Sequence, residues 1–475
     1  MSDFGIERIG GYLPLMRLDR KAAAAALKWS GLSGPRSGRR AVAGWDEDAL
    51  TLAVEAARIA SGKAVPSSLV FASTSAPFYE RLQAGLVSEA LSLPLSVRAL
   101  DVSGSRRCAV SALLQALQSA DTALIAAGEK RPGEAGNPLH LAFGDGGAAV
   151  MTGPHGSAKL RGYATLTVDF VDIYASREHP TPYQAEERFI RDRTVEEILI
   201  PAIKAACAQA EISPSAINFA AVAEPSAGCY KQAATRLAMT APNLATDLAE
   251  RAGDLGAAHP LFALALAFAQ AKPGDLVLLL GFGSGADALI FEVSGEVPGA
   301  AETVQALKSG QNSSDYLRFL SLSGCVDLDW GVRAEFEQKT NATVLDRYGR
   351  DMLGFIGGRD QTGNVQFPKS LIPVNPVQSE PETLEDVPLR DAPAKIVSVT
   401  ADRLNYSPDP PFYFGLVQFG NGARVLMEFA DAAPAGFSVG DELKMRFRVK
   451  SIDHRRGFRT YFWKAAPKQR PQLED

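Results

Sequence analysis

From its start to about residue 295, the chain alternates short apolar, strand-like runs with alanine-rich helical patterns, and near residue 160 the alternation begins again. Helices placed between buried strands need parallel or mixed sheets covered on both faces, so only layered α/β architectures fit. The restart predicts two similar halves, 1–160 and 161–295. In the first, Asp19 is placed to cap a helix running to Leu27. Asp46 is placed to cap another, in which Leu50, Ala53, Val54 and Ala57 share a face and Gly62 ends the last turn. Residues 69–74, 124–127 and 148–151 read as buried strands. In the second half, a long strand is expected over 160–174, and Thr194 with Glu197 forms a capping box that opens a helix. Strands follow at 219–222, 276–280 and 288–293, with helices near 231–239 and 260–270.

Residues 296–311 have the Gly, Pro, Ser and charge content of a linker. A helical stretch near 314–322 and an irregular Gly-, Pro- and Asn-rich stretch near 340–390 make up a segment 312–380. Beyond it, in 381–475, strand patterns at 396–400, 412–419, 424–429, 443–452 and 458–464 include one hairpin closed by Gly420-Asn421-Gly422. Five such strands predict a small antiparallel barrel, an OB-fold.

No run of eighteen apolar residues is present, so no membrane span is expected. The start carries Asp3 and Glu7 rather than a charged-then-apolar leader, which makes the cytoplasm the default location. A net charge of −5 gives no global attraction to nucleic acid. The four cysteines are scattered, with no C-x-x-C, which argues against a disulfide framework and a thiolate-bound metal.

Cys108 is the strongest chemical candidate. It stands where residues 101–105 give way to a helix, so its thiol faces unpaired N–H groups and the positive end of the helix dipole. Arg106 and Arg107 precede it, and all three features favour a thiolate. A low-pKa cysteine at a helix start suits covalent acyl transfer from a thioester. The plainer alternative is a small buried side chain, where free cysteines commonly sit. Two glycine-rich turns accompany it, Phe143-Gly-Asp-Gly146 and Gly281-Phe-Gly-Ser-Gly285. An N–H at Gly283 or Ser284 is placed to join that of Cys108 as an oxyanion hole, with tight packing as the alternative use of the glycines.

Read in order, Trp45-Asp-Glu-Asp48, Cys108, Phe143-Gly-Asp-Gly146 and Gly281-Phe-Gly-Ser-Gly285 resemble the thiolase superfamily over about residues 4–294. The likeness is to 3-hydroxy-3-methylglutaryl-CoA synthases and ketoacyl synthase III, and residues 40–50 resemble the synthases of bacteria and archaea. This resemblance implies a five-layer αβαβα sandwich and a homodimer with the nucleophile near the interface. It also implies an acyl-CoA substrate and an acyl group carried on Cys108 before condensation with a second. Three positions depart from the pattern. Thr74 stands where those synthases carry a general acid/base Glu, Ala223 where they carry a His, and Asp254 where ketoacyl synthases carry an Asn. Thr and Ala are not proton carriers at neutral pH. Glu224, Asp254 and His259 are therefore the candidates for a rearranged acid/base set, against the alternative of solvated loop carboxylates and a helix-start histidine. Thr74, Ser284 and Lys231 are the candidate substrate contacts.

Residues 355–368 resemble the zinc-ribbon segment of the acyl-CoA-associated OB-fold proteins that bridge thiolases and hydroxymethylglutaryl-CoA synthases. Here Asp360, Gly363, Ile372 and Asn375 stand at the four thiolate positions, so zinc is not expected and the ribbon is expected to hold by packing alone. The alternating Lys444, Arg446, Arg448 and Lys450, with His454, Arg455, Arg456, Arg459 and Lys464 beyond, read first as a strand's solvent face, then as an attraction for CoA phosphates, and last as a nucleic-acid surface. The combined expectation is an acyl-CoA condensing enzyme fused to its OB-fold, with CoA thioester as substrate and no resident cofactor or metal. A thiolase is a second candidate partner. The alternatives are a CoA-binding scaffold without activity and a retro-aldolase acting on β-hydroxyacyl-CoA.

Overall fold

The computed structural model describes residues 4–32, 34–62, 64–329, 349–370, 374–375, 384–454 and 457–473. Nine strands form the main sheet: β1 (Gly5–Tyr12), β2 (Ser68–Ala72), β3 (Arg98–Val102), β4 (Ala123–Glu129), β5 (Gly146–Gly153), β6 (Ala158–Thr167), β7 (Phe219–Val222), β8 (Leu276–Phe282) and β9 (Gly285–Val293). The helices that pack on it are α1 (Ala49–Ser61), α2 (Cys108–Gln118), α3 (Ile200–Gln209), α4 (Cys229–Arg236), α5 (His259–Phe268) and α6 (Ala300–Lys308).

The strand order is β7-β8-β9-β6-β1-β5-β4-β2-β3. It divides into a five-stranded half, β1 to β3 by way of β5, β4 and β2, and a four-stranded half, β6 to β7. Only the short pairing of Gly5 with Lys159 and Ile6 with Ala158 joins them. Alternation along the strands sorts the side chains into three apolar layers. Val277, Leu279, Leu289 and Phe291 of one half and Ile9, Ile125 and Val150 of the other converge on α2 and α5, which lie between the two. Leu69, Leu124 and Met151 point the opposite way, onto α1. Leu278, Leu280 and Ile290 point outward onto α3 and α4. Helix, sheet, helix, sheet and helix thus succeed one another, a mixed α/β architecture in five layers.

Several local expectations are corrected. The cap of α1 is Asp48, which forms a reciprocal box with Thr51, rather than Asp46. Asp46 instead pairs with Lys464. Thr194 opens no helix: it begins a π-helical turn, 194–199, in the middle of a helical stretch that starts at Glu187. The long second-half strand ends at Thr167. The segment 296–311 is not an open linker, because it contains α6 and a strand, Gln311–Ser313, that pairs in parallel with Met16–Asp19.

The C-terminal strands are β10 (Ala394–Ile396), β11 (Thr400–Asp402), β12 (Phe412–Phe419), β13 (Arg424–Glu428), β14 (Glu442–Asp453) and β15 (Phe458–Pro467). They form an antiparallel sheet ordered β11-β12-β10-β14-β15, with β13 on β12. Its central basic row does not face solvent. Arg446, Arg448 and Lys464 are buried against the first half of the chain. Arg446 pairs with Glu55 at 2.6 Å, Arg448 with Glu47 at 3.0 Å and Asp431 at 3.1 Å, and Arg459 with Asp48 at 2.8 Å. Arg455 and Arg456 lie outside the described residues.

Burial pushes the Glu55 carboxyl up, but Arg58, Arg446, Arg448 and the Phe447 N–H together hold it down at about 2. A carboxylate whose pKa is depressed on folding adds stability above its unfolded value, and that stability is lost as pH falls through the folded one. A contribution of roughly 3 kcal/mol is therefore expected to fade between about pH 4.5 and pH 2. Urea unfolding of the wild type and of Glu55→Gln across this range checks it: the variant should be less stable at pH 7 and lose less on acidification.

The segment around Asp360 is held by more than packing. Asp360 accepts from the Thr362 N–H and hydroxyl at 2.9 and 2.7 Å, and the Asn375 side-chain amide donates to Asp360 at 3.3 Å and to Thr362 at 2.8 Å. This polar cross-link joins two of the four positions at which the resemblance expects thiolates. Ile372 lies outside the described residues. One carboxylate and one amide do not fit a tetrahedral zinc site.

Candidate functional site around Cys108

Cys108 is the first residue of α2, with Arg107 at the cap. The helix begins here because residues 103–107 form a turn whose Ser105 carbonyl receives the Cys108 N–H at 3.0 Å. The residue is 6% exposed and lines a cavity of about 770 Å³ that also touches Ser105, Arg107, Ser111 and the edge strand β3.

The thiolate expectation is overturned. Burial, and then the nearby Glu129 charge, push the Cys108 thiol up to about 12, and the N–H groups of Ala109 and of Cys108 itself pull the other way without prevailing. The two arginines do not help, because both are committed elsewhere. Arg106 pairs with Asp172 and, at 3.5 Å, with Asp254. Arg107 donates to the Leu166 carbonyl at 2.9 Å and lies 3.7 Å from Asp287.

The expected oxyanion hole is not preformed. The Cys108 N–H is spent on Ser105, and the Gly283 N–H is spent on the Gly285 carbonyl at 3.0 Å. The glycine turn serves close approach. A Cβ on Gly283 would lie 2.3 Å from the Ser105 hydroxyl, and one on Gly281 would lie 2.8 Å from Val110. The turn thus clamps the Cys108 loop, and the Ser105 hydroxyl donates to the Gly283 carbonyl at 2.9 Å. Ser284 is exposed at the tip, with φ +49°. The other glycine-rich turn acts similarly: a Cβ on Gly144 would meet the Ala252 carbonyl at 2.1 Å, and Asp145 pairs with Arg40 at 3.3 Å.

Of the three acid/base candidates, Asp254 and His259 are neighbours, with 4.0 Å between the Asp254 carboxylate and His259 Nδ1, and Glu224 is held by partners of its own. Asp254 lies 2.8 Å from Arg131 and is held well below the usual carboxylate range, since Arg131, His259 and Arg106 outweigh its burial. Burial lowers the His259 pKa, and both ring nitrogens are engaged, one with the Leu255 N–H at 3.2 Å and the other with the Ala245 carbonyl at 2.9 Å. Glu224 stands at the mouth of β7 and accepts from the Tyr230 N–H at 2.8 Å and the Thr246 hydroxyl at 2.7 Å. Burial raises its pKa. Lys231 is exposed on α4.

The residue missed from sequence is Glu129, the last residue of β4. It is fully buried, and after burial itself its charge adds to the rise of the Cys108 thiol pKa. Its Oε1 accepts from the Thr74 N–H at 2.8 Å, the Thr74 hydroxyl at 2.9 Å and the Ala257 N–H at 3.1 Å, and its Oε2 from the Ser75 hydroxyl at 2.5 Å. Gly256, at φ +55°, leaves it room, since a Cβ there would lie 2.9 Å from the Glu129 Cγ. A glutamate closing an otherwise apolar strand, Ala-Leu-Ile-Ala-Ala-Gly-Glu, was the available signal. Among the described residues no group of three or more His, Cys, Asp or Glu is arranged to hold a metal ion, and no helix is long and apolar enough to cross a membrane.

A family model described as the C-terminal part of 3-oxoacyl-[acyl-carrier-protein] synthase III matches residues 207–292. The chain is 26% identical over 310 residues to hydroxymethylglutaryl-CoA synthase of Pyrococcus furiosus, covering 62% of this chain and 87% of that protein. It is 26% identical over 358 residues to the synthase of Aeropyrum pernix, covering 71% and 95%. Among solved structures, a hydroxymethylglutaryl-CoA synthase complexed with CoA superposes with a TM-score of 0.55 at 17% identity, covering 71% of this chain and 94% of that one. The 3-oxoacyl-(acyl carrier protein) synthase III of Pseudomonas aeruginosa gives 0.54 at 19%, covering 62% and 99%. These likenesses establish a thiolase-like α/β fold for the part of the chain that they cover.

Proposed function

We propose that this chain is an acyltransferase of the hydroxymethylglutaryl-CoA synthase kind, working on CoA thioesters through an acyl group carried on Cys108. The observation that carries the reading is the position of Cys108: a helix-opening cysteine in the lining of a cavity, between the two halves of a fold shared with condensing enzymes. The raised thiol pKa means that attack on a thioester must be coupled to loss of the proton, since little thiolate is present at neutral pH. The oxyanion donors would be the N–H groups of Cys108 and Gly283, freed by a shift of the 103–107 turn and the 283–285 tip when substrate enters. The test is incubation with radiolabelled acetyl-CoA and longer acyl-CoAs, acid trapping, and mapping of the label. Stoichiometric label on the Cys108 peptide is expected, and none with any acyl-CoA would sink the reading.

The C-terminal strands support an OB-fold appended to this unit. A bridge between Phe429 and Ala465 brings the end of β13 toward β15, as closure of a small barrel requires. The acidic run Asp46-Glu47-Asp48 then serves as the docking surface for that barrel rather than for substrate.

A homodimer is part of the same reading. β3 ends the sheet unpaired, with Leu100 56% and Leu95 84% exposed, and an uncovered apolar edge normally calls for a partner. A second copy on this edge would also cover the Cys108 cavity, whose wall includes β3. Leu100→Arg is expected to shift the protein from dimer to monomer in sedimentation velocity; an unchanged sedimentation coefficient would remove this edge from the interface.

One observation favours a second reading, a CoA-binding scaffold without catalysis: both candidate oxyanion N–H groups are already bonded within the chain. The same labelling experiment separates the two, because a scaffold binds acyl-CoA and leaves Cys108 unlabelled.

A further inference from the structure

We infer that the cleft between the C-terminal sheet and the first half of the chain binds a medium- to long-chain carboxylate, whose head group pairs with Arg81 and whose hydrocarbon chain covers the apolar wall beyond it. The inference is independent of the reading of Cys108 as acyl carrier.

The cleft arises where the C-terminal sheet stays open. β13 and β15 meet at the bridge between Phe429 and Ala465, and among the described residues no further pairing joins them. Arg424–Glu428 and Phe458–Lys464 therefore stand apart as two walls. Residues 349–353 and 367–370 face them, and Arg81 and Leu86 of the first half complete the lining. The Trp463 indole N–H donates to the Leu353 carbonyl at 2.6 Å and so holds the 349–353 wall against β15. The cavity has a volume of about 980 Å³, larger than the one beside Cys108. Sites for small molecules typically measure about 300–1,000 Å³.

One side of the lining is apolar. Met352, Leu353, Phe367 and Phe462 are half-buried and Leu426 is 69% exposed, so a concave hydrocarbon wall is left partly wet. Covering it is favourable in proportion to the apolar area removed from water. The polar side offers one uncommitted cation among the described residues. Lys450 and Lys464 are held by Glu428, Lys369 by Asp386, and Arg459 by Asp48 at 2.8 Å. Exposed Arg424 donates to the Gln418 side chain, and Asp351 lies in the field of Lys369 and Arg350. Arg81 has no carboxylate partner among the described residues, and its Nη1 is buried without a hydrogen bond. Its guanidinium is steadied over the rings of Phe78 and Phe458, 4.8 and 5.2 Å from their centroids. A carboxylate meets such a fork with two parallel N–H···O bonds. Phe458 begins β15, so the head group lies at that end and the chain extends along the strand toward Phe462. One free cation matches one negative charge. The several phosphates of a nucleotide or of CoA carry more charge than this wall neutralises.

The test is calorimetric titration of the full-length, delipidated protein with octanoate, decanoate and dodecanoate below their micelle concentrations, and with decanol and decyl phosphate. Saturable binding of one carboxylate per chain is expected, tightening roughly tenfold for each added pair of methylenes. Arg81→Gln is expected to weaken decanoate by about 10- to 100-fold and to leave decanol within about threefold, which also shows that the cleft is intact. Leu426→Glu, at an exposed position where the fold tolerates a charge, is expected to weaken both ligands by about tenfold. A diazirine-bearing decanoate is expected to cross-link within residues 349–353, 367–370 or 424–428. The inference is overturned if dodecanoate shows no saturable binding, if both substitutions leave decanoate unchanged, or if the cross-links fall only within residues 98–123 beside Cys108. Decyl phosphate binding more tightly than decanoate overturns the assignment of a carboxylate head group.

Discussion

Cys108→Ala is expected to abolish acyl labelling and to lower condensation by on the order of 10⁴-fold or more, since a covalent route cannot run without its nucleophile. The fold should survive. The sulfur sits at a helix start beside a cavity, and alanine fits both the helix and the space. Cys108→Ser adds a sharper readout, because it keeps the shape and replaces a thioester by an oxyester that turns over far less readily. The pH dependence has a definite sign. With the thiol pushed up to about 12, alkylation of Cys108 by iodoacetamide should rise about tenfold per pH unit from pH 7 to pH 10, as the thiolate fraction does. Glu129→Gln removes the neighbouring negative charge and should speed alkylation at fixed pH. Alkylation that is already fast at pH 7 and flat above it would contradict the burial account of this thiol.

Much of this site was legible in the sequence, and the parts that were not have physical reasons. The break from extended chain to helix at Cys108 is local, so pattern alone located it. The layered α/β core was legible for the same reason, since alternation such as Val277, Leu278, Leu279 and Leu280 inside one strand encodes two buried faces. The ionisation of Cys108 was not legible. It depends first on burial in the packed core and then on Glu129, which is 21 positions away along the chain. The directions of Arg106 and Arg107 likewise depend on Asp172, Asp254 and Asp287, from three separate loops and strands. The glycines of the 281–285 turn could be placed in a turn but not assigned a purpose, because the Ser105 loop that they admit is remote in sequence. The basic row of β14 is exposed at its ends, Lys444 and Lys450, but its middle, Arg446 and Arg448, failed as a solvent face, because alternation reports two faces and not what covers each.

Arg448→Ala is the substitution expected to damage the structure most. Arg448 is completely buried at the junction between the two parts of the chain. It donates to the Tyr12 hydroxyl at 2.9 Å and to Asp431, and pairs with Glu47 at 3.0 Å. The surrounding charges hold its own pKa well above the ordinary guanidinium value despite burial. Removing it leaves two carboxylates, Glu47 and Asp431, in a site that only Arg470 and more distant cations then neutralise. Breaking a buried ion pair by deleting one partner typically costs about 3–5 kcal/mol, most of it from the charge left behind. Urea unfolding should show that loss as β14 loses its hold on the Asp46–Asp48 loop. A triple variant, Arg448→Met with Glu47→Gln and Asp431→Asn, separates charge from packing, since it removes the stranded carboxylates along with the cation. Recovery of at least half the lost stability is expected in the triple variant. If it is as unstable as Arg448→Ala, the junction depends on the shape of the arginine rather than on its charge.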